Sequence, residues 1–436
     1  MNCYNDRRMK NHALAFVFGN DNKQSLSALI GTLETDARFD DLGIHLLKPR
    51  LGLNKQIEAL ARTCDKVVVG FSFTTPKALQ NLQAVQRVRR YLRSNTLENI
   101  TLVAGGPHPS GAPQQTLDMG FDVVVVGEGE ISFPALLHAL YTGSDLDHVQ
   151  GITYRAGADA RSTGRSPRVE NLDDWPPFAE RFNLFSSIEI TRGCPWACKY
   201  CQATFLFGGR MRHRSVGNII EWVEASHRND KSHIRFITPD AFMYGSDGSQ
   251  PRLDLLEEML RGVNAVVGKK NTYLGSFPSE VRPESVSREA VELVRRFATN
   301  DNIFIGAQSG SQRMLDLAHR GSMVEDIYRA VEITAEAGIT ANVDFIFGMP
   351  GENEEDRART RRVIEDLAGL GARIHSHTFL PLAGTPWEDA PPGRIDPETL
   401  QLLEHLTGKG QHFGQWRRQQ SAAKAIDDFR EKKPSG

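Results

Sequence analysis

The sequence predicts an α/β chain in two parts, an N-terminal doubly wound parallel sheet and a partial (β/α)6 barrel, with a short helical tail. Three observations carry this. Short apolar runs alternate with helix-like segments from 13 to 126, the same alternation resumes from 187 to 380, and a Pro-containing stretch at 171–178 lies between them. Strands apolar at every position are buried on both faces, the condition of a parallel sheet covered by helices. The expected divisions are 1–150 for the sheet domain, 151–185 for a linker, 186–386 for the barrel and 387–436 for the helical extension.

Composition narrows the function classes. With 436 residues the chain can bury full cores without disulfide staples. Its formal charge of −2 provides no global field for nucleic acid. No run approaches the roughly eighteen apolar residues of a membrane helix. The polar, basic start is followed only by the apolar run 13–18, so no signal peptide is expected. Five cysteines, three of them clustered, suit a reducing compartment, and the expectation is a cytoplasmic protein. Cys3 and Cys64 are expected to be a free terminal thiol and a small buried hydrophobe.

In the first part the strands are expected at 13–18, 43–47, 66–71, 99–104 and 122–126. Leu82, Val85, Val88 and Leu92 form one stripe of an intervening helix. Doubly wound sheets bind ligands beyond the carboxyl ends of their strands. There the chain reads Ser72-Phe-Thr74-Thr-Pro, Gly105-Gly106-Pro-His108-Pro and Gly127-Glu128-Gly-Glu. Adjacent glycines let a flat ligand approach the backbone. Residues 151–170 read as a small β excursion, and 171–178 as an extended linker because proline denies it helix. Trp175 is expected to pack that linker down.

The barrel strands are expected at 187–191, 233–238, 272–277, 302–307, 341–347 and 373–380. Their loops carry Thr238-Pro239-Asp240, Ser276-Phe-Pro-Ser-Glu280-Val-Arg282, Gly306-Ala-Gln308-Ser309-Gly310-Ser311, and Phe347-Gly-Met-Pro-Gly-Glu352. His375 and His377 alternate along the last strand and therefore point the same way. Directly after the first strand comes Cys194-Pro-Trp-Ala-Cys198-Lys-Tyr200-Cys201, three thiols within eight residues. Soft thiolates select zinc, copper(I) or iron–sulfur. A closed zinc site needs a fourth donor, for which His213 is the candidate. A [4Fe–4S] cluster normally takes four thiolates, so three leave one iron open. The basic run Arg210-Met-Arg-His-Arg214 could meet oxygen acceptors or form a solvated helix entrance, with Ser215 as the helix N-cap.

The cysteine loop, with an aromatic residue before its third thiol, resembles that of the radical S-adenosylmethionine (SAM) superfamily. The resemblance implies that Cys194, Cys198 and Cys201 bind a [4Fe–4S] cluster whose open iron chelates SAM. Tyr200 matches the position near adenine, Pro239 and Asp240 the motif holding the SAM amino group, and Gln308, Ser309, Gly310 and Ser311 the G-x-E-S-G stretch, with glutamine replacing glutamate. Phe347 matches a strand end packing on adenine. The first part resembles the cobalamin-binding domains that precede many such barrels, implying cobalamin contacts from Ser72, Thr74, Gly105, Gly106, His108, Gly127 and Glu128. The loop after the first strand, Gly19-Asn-Asp-Asn-Lys-Gln-Ser25, lacks the cobalt-ligating histidine of related mutases. His108 is the nearest alternative ligand.

The expected function is therefore that of a cobalamin-dependent radical SAM enzyme, methylating an unactivated carbon or phosphorus centre. His375, His377 and Glu280 are the candidates for substrate contact or proton transfer. The resemblance also implies a small-molecule substrate and an external flavodoxin- or ferredoxin-type electron donor. Radical rearrangement or cyclisation without methyl transfer is the nearest alternative. A non-catalytic zinc-binding or sensory module is the alternative of a different class.

Overall fold

The computed structural model describes Met9 and residues 11–157, 159–414 and 416–431. Cys3 lies outside them. The chain divides into two compact units. The first comprises Met1–Glu170, Asp174–Ser186 and Phe429–Gly436, and the second Asn171–Asp173 and Ser187–Asp428. No described helix is long and apolar enough to cross a membrane.

The first unit is built on strands β1 (His12–Val17), β2 (Gly43–Leu47), β3 (Lys66–Ser72), β4 (Ile100–Gly105) and β5 (Val123–Val125). They run parallel in the order β2-β1-β3-β4-β5. This is the doubly wound order, which reverses direction between β1 and β3. Helices α1 (Lys23–Glu34), α2 (Leu53–Ala61), α3 (Ala78–Ser94), α4 (Pro107–Gly111), α5 (Pro113–Asp118) and α6 (Gly129–Thr142) accompany the strands. Side chains alternate across the sheet, so Leu14, Phe16 and Val68 enter one core with α1 and α6, while Ala13, Val67 and Val69 enter another with α2 and α3. Val85, Val88 and Leu92 of the α3 stripe are buried, and half-buried Cys64 packs against the second core.

The excursion after 150 belongs to this sheet. Strands β6 (Ile152–Ala156) and β7 (Asp159–Ser162) add to its edge antiparallel. The stretch expected to be a linker is also folded in. Phe178 is buried, and both Arg181 and Phe182 donate backbone N–H groups to Glu34 of α1. Its apolar residues, rather than its prolines, set its fate.

The second unit opens with β8 (Ile188–Glu189), β9 (Thr191–Arg192), the short helix α7 (Ala203–Phe207) and β10 (Arg212–His213). Then follow α8 (Val216–Arg228), β11 (Ile234–Ile237), α9 (Leu253–Val267), β12 (Thr272–Tyr273), α10 (Arg288–Phe297), β13 (Asn302–Gln308), α11 (Gln312–Leu317), α12 (Val324–Glu336), β14 (Thr340–Phe347), α13 (Glu354–Gly369) and β15 (Arg373–Thr378). The last elements are α14 (Pro397–Gly408), β16 (His412–Gly414) and α15 (Trp416–Glu431). Strands β8, β11 and β12 form one parallel sheet, and β13 to β16 another. A parallel bridge from Val281 to Ile305 links the β12 segment to β13.

All six expected strands are present, and β16 makes a seventh. The barrel sheet thus extends past residue 386 into the expected tail. His-Phe-Gly is too short to announce a strand by periodicity, and its pairing with β15 decides it.

Candidate functional site

The cysteine loop leaves β9 through Gly193, whose φ is 92°. A Cβ there would lie 2.2 Å from the Arg210 carbonyl oxygen, so only glycine fits. The loop is clamped from several sides. Cys194 N–H donates to the Gly208 carbonyl, Thr204 Oγ1 donates to the Cys194 carbonyl at 2.6 Å, and Lys199 N–H donates to the Ala318 carbonyl.

Its three cysteines are free, Cys198 buried and Cys194 and Cys201 half-buried. His213 is not available as a fourth zinc ligand. Its Nδ1 accepts the Gly245 N–H at 3.1 Å, and its Nε2 donates to the Ser246 carbonyl at 2.6 Å. The zinc expectation loses its donor because both ring nitrogens are engaged by backbone.

Burial pushes the Cys194 thiol up and the Cys201 thiol up to about 11. Three thiolates at this place therefore require a bound cation. Two guanidinium groups help supply positive charge. Arg282 Nη1 and Arg320 Nη1 each lie 3.9 Å from Cys198 Sγ, and Arg282 stacks on Trp196 at 4.1 Å. Both arginines are nearly fully buried. Arg282 pairs with Glu284 and donates to the Arg320 carbonyl, while Arg320 Nη2 donates to the Gly306 carbonyl at 2.7 Å. Sequence reading reaches Arg282 in a loop after a barrel strand but misses Arg320, which follows a helix rather than a strand.

Tyr200 packs against the cluster of Met314, Ala318, Met349 and Phe379. Asp240 Oδ1 accepts from Phe242 N–H at 3.1 Å and Ser285 Oγ at 3.0 Å. Burial outweighs those bonds and raises the Asp240 carboxyl to about 6. Pro239 is half-buried in the preceding turn. Gln308 ends β13 with φ 73°, beside a register shift after Ile305. Such a left-handed side-chain-bearing residue stores strain, a feature concentrated at functional positions. Ser309 and Ser311 are buried and turn toward α13, where Ser311 Oγ donates to Asp356 at 2.6 Å and Gly310 N–H donates to Thr360 Oγ1. Phe347 is buried, 6.5 Å from the ring of Phe345. Burial raises Glu352 to about 7, although its carboxylate accepts the Gly348 N–H.

The basic run is not a free acceptor-binding patch. Arg212 and His213 form β10 on β9, Arg212 donates to the Phe207 carbonyl, and Arg214 donates to Glu189 and Asn218. Ser215 caps α8 by accepting the Asn218 N–H.

His375 and His377 do point together, and Asp344 of β14 meets them. His375 Nδ1 lies 2.7 Å from Asp344 Oδ1, and His377 Nε2 lies 3.7 Å from the same oxygen. Burial first, then the charge of Asp344, pushes Glu280 up to about 7. The missed Asp344 left a signal, since it is the one acid within the apolar run Val343-Asp-Phe-Ile-Phe347.

In the first unit the switch-point loop is tied by side chains. Asn22 Nδ2 donates to the carbonyls of Val17 and Ser72, and Ser25 Oγ bonds Ser72 Oγ at 2.8 Å. Gly106 has φ 95°, and a Cβ on it would sit 3.0 Å from Ser72 Oγ. Gly105 has open space, with Val125 the nearest atom at 3.9 Å. Thr74 is exposed, Gly127 N–H donates to Ser110 Oγ, and Glu128 accepts the Val169 N–H. His108 departs from its expected place. It is buried between Phe73 and Phe429 of the same unit, and burial lowers it to about 4. Its Nδ1 lies 3.4 Å from Thr75 Oγ1 and its Nε2 is buried with no hydrogen-bond partner, so neither nitrogen is exposed.

Known protein families match the two units separately. Residues 188–364 match the model of the Radical SAM superfamily, and residues 25–137 match that of the B12 binding domain. The chain joins a B12-binding domain to a radical SAM domain. It is 25% identical over 324 residues to an uncharacterized methyltransferase of Pyrococcus horikoshii, covering 71% of this chain and 66% of that protein. A putative methylthiotransferase of Methanocaldococcus jannaschii is 28% identical over 57% of this chain and 54% of its own length. The chain thus spans just under two thirds of the first relative and about half of the second. Two solved structures share the fold. The methyltransferase TsrM of Kitasatospora setae, with cobalamin and a [4Fe–4S] cluster, matches with a TM-score of 0.66 at 17% identity, over 89% of this chain and 79% of that one. The cobalamin-dependent enzyme OxsB, with aqua-cobalamin, matches with a TM-score of 0.64 at 18% identity, over 81% and 52%. A radical SAM domain implies a [4Fe–4S] cluster and SAM, and a B12-binding domain implies cobalamin.

Proposed function

We propose that the chain is a cobalamin-dependent radical SAM enzyme that transfers a methyl group to an unactivated carbon or phosphorus centre of a small molecule. The observation that carries this reading is the thiol site of the radical SAM domain. Three thiols share one loop, the candidate fourth zinc donor His213 is engaged through both ring nitrogens, and two buried guanidinium groups flank Cys198. When bound, the cluster, SAM and cobalamin together supply reductive sulfonium cleavage and a transferable methyl group.

In this reading the protein's own work is positioning and charge. Cys194, Cys198 and Cys201 ligate the cluster, and Arg282 and Arg320 lower the cost of concentrating thiolate charge in a buried loop. Asp240 Oδ2 remains to accept from the SAM ammonium group, since Oδ1 already takes two donors. Gln308 presents its amide to the SAM ribose or carboxylate, and Tyr200 and Phe347 pack near adenine. Ser309, Gly310 and Ser311 support this loop by fixing it to α13. In the B12-binding domain, Gly105 and Gly106 admit the corrin's nucleotide tail, while Ser72, Thr74, Gly127 and Glu128 line its loops. Glu280, His375 and His377 face the substrate, and a flavodoxin- or ferredoxin-type donor delivers the electron.

Anaerobic reconstitution tests the proposal. A broad visible cluster absorbance, corrin bands after adding hydroxocobalamin, and deoxyadenosine release under reduction are expected. Zinc uptake with no deoxyadenosine would overturn it. SAM labelled in its methyl group then separates methyl transfer, with label in product, from rearrangement or cyclisation, with none.

A further inference from the structure

We propose that Asp344, His375 and His377 hold a divalent transition-metal ion, zinc or iron(II), in a site separate from the cysteine loop. The strand register brings the three together, because Asp344 pairs with His375 across β14 and β15 and His377 follows two residues on. Alternation then sends both imidazoles to one side, while Ile374, Ser376 and Thr378 are buried on the other. The backbone therefore fixes the arrangement.

The donor atoms are Asp344 Oδ1, His375 Nδ1 and His377 Nε2, separated by 2.7, 3.1 and 3.7 Å. Ligand atoms about 2.0–2.2 Å from a tetrahedral ion lie roughly 3.3–3.6 Å apart, within the observed spread. Two imidazoles and one carboxylate suit zinc, iron or manganese more than magnesium or calcium. The acid is nearly fully buried, the imidazoles partly exposed, so the site has a desolvated floor and an open side.

Proton placement supports a cation here. Gln419 Oε1 accepts the Thr378 N–H at 2.8 Å, which leaves its amide nitrogen to donate to His377 Nδ1 at 3.0 Å. A neutral His377 then carries its proton on Nε2. His375 must also be protonated on Nδ1 to bond Asp344. Two N–H groups thus face each other at 3.1 Å, with their nitrogens 2.7 and 3.7 Å from a single carboxylate oxygen. An ion replaces both protons on these atoms as each neutral ring moves its proton to its other nitrogen. The Gln419 oxygen must then turn to His377 Nδ1, giving the ligand its outer partner.

The test uses the full chain with Cys194, Cys198 and Cys201 all changed to alanine, so cluster iron cannot be confused with this site. Failure here is thereby separable from failure of the proposed function. Titration with cobalt(II) is expected to give visible d–d bands saturating near one equivalent, displaced by zinc. His377→Ala and Asp344→Asn should each weaken binding about 100-fold or more. Gln419→Glu, which offers His377 Nδ1 a carboxylate acceptor, should tighten it roughly tenfold. Circular dichroism and gel filtration confirm that each variant is folded, and Gln419→Glu keeps the test decisive if His377→Ala is not. Absence of cobalt bands, or bands that persist in His377→Ala with equal affinity, would overturn the site.

Discussion

At the strand ends of the B12-binding domain, polar side chains are engaged with backbone. Asn22 bridges two carbonyls, Ser110 accepts the Gly127 N–H, and Glu128 holds the Val169 N–H. At the strand ends of the radical SAM domain, ionisable groups are buried beside one another instead. Arg282 and Arg320 flank Cys198, Asp344 meets two histidines, and Glu280 and Glu352 are raised to about 7. The contrast matches two kinds of ligand. A large flat group is admitted by backbone shape and open glycine positions, whereas small charged or redox-active groups are met by desolvated charge.

The largest expected effect breaks one side of the contrast and leaves the other. Changing Cys194, Cys198 and Cys201 together to alanine should abolish iron–sulfur absorbance and deoxyadenosine release while leaving cobalamin binding within about twofold, because the residues proposed to hold cobalamin belong to the other unit. Corrin absorbance of the reconstituted variant measures this. A parallel loss of cobalamin would mean the two sets of residues do not act separately.

Next in size is Arg282→Met. It removes the guanidinium that pairs with Glu284 and stacks on Trp196. Burial raises the Glu284 carboxyl, but Arg282 and Arg320 outweigh it and hold it low. Removing one partner of such a pair costs about 3 kcal/mol, which for a unit of this size lowers Tm by about 6–12 °C. Adding Glu284→Gln should recover most of the loss in calorimetry, since it removes the stranded charge.

Gly106→Val addresses the first unit. With φ 95°, valine there costs about 1–3 kcal/mol of strain, and its Cβ meets Ser72 Oγ. Cobalamin affinity should fall roughly tenfold or more, since each 1.4 kcal/mol is tenfold in Kd. Gly105→Ala, in open space, should lower it far less.

Much of both units was legible because local signals agreed with the fold. The largely apolar strands 66–71 and 99–104, the α3 stripe, and Ser215 before α8 sit where patterning puts them. What was not legible depends on pairing across the chain. β16 is a strand only because β15 is beside it. Arg320 reaches Cys198 across 122 residues, and Gln419 reaches His377 across 42. His108 misled for a related reason: its loop lies at a strand end where ligands bind, but Phe73 and Phe429 enclose it. Arg212 and Arg214 likewise formed a basic run whose partners only tertiary structure provides.

The smallest effect concerns how the second unit tolerates buried charge, and Glu352 isolates it. Its folded carboxyl titrates at about 7, above the unfolded value near 4.5, because burial disfavours the anion. The folded chain therefore binds this proton more tightly than the unfolded chain. Stability falls as pH rises from about 4.5 through 7. Glu352→Gln removes that dependence while its amide oxygen still accepts the Gly348 N–H. Above pH 7 the variant should be more stable than the parent by about 1–3 kcal/mol, toward the lower figure because the residue is only half-buried. Near pH 4, below the unfolded value, the two should nearly coincide. Denaturant midpoints measured across this range decide the matter, and equal differences at both ends would place the effect in packing rather than charge.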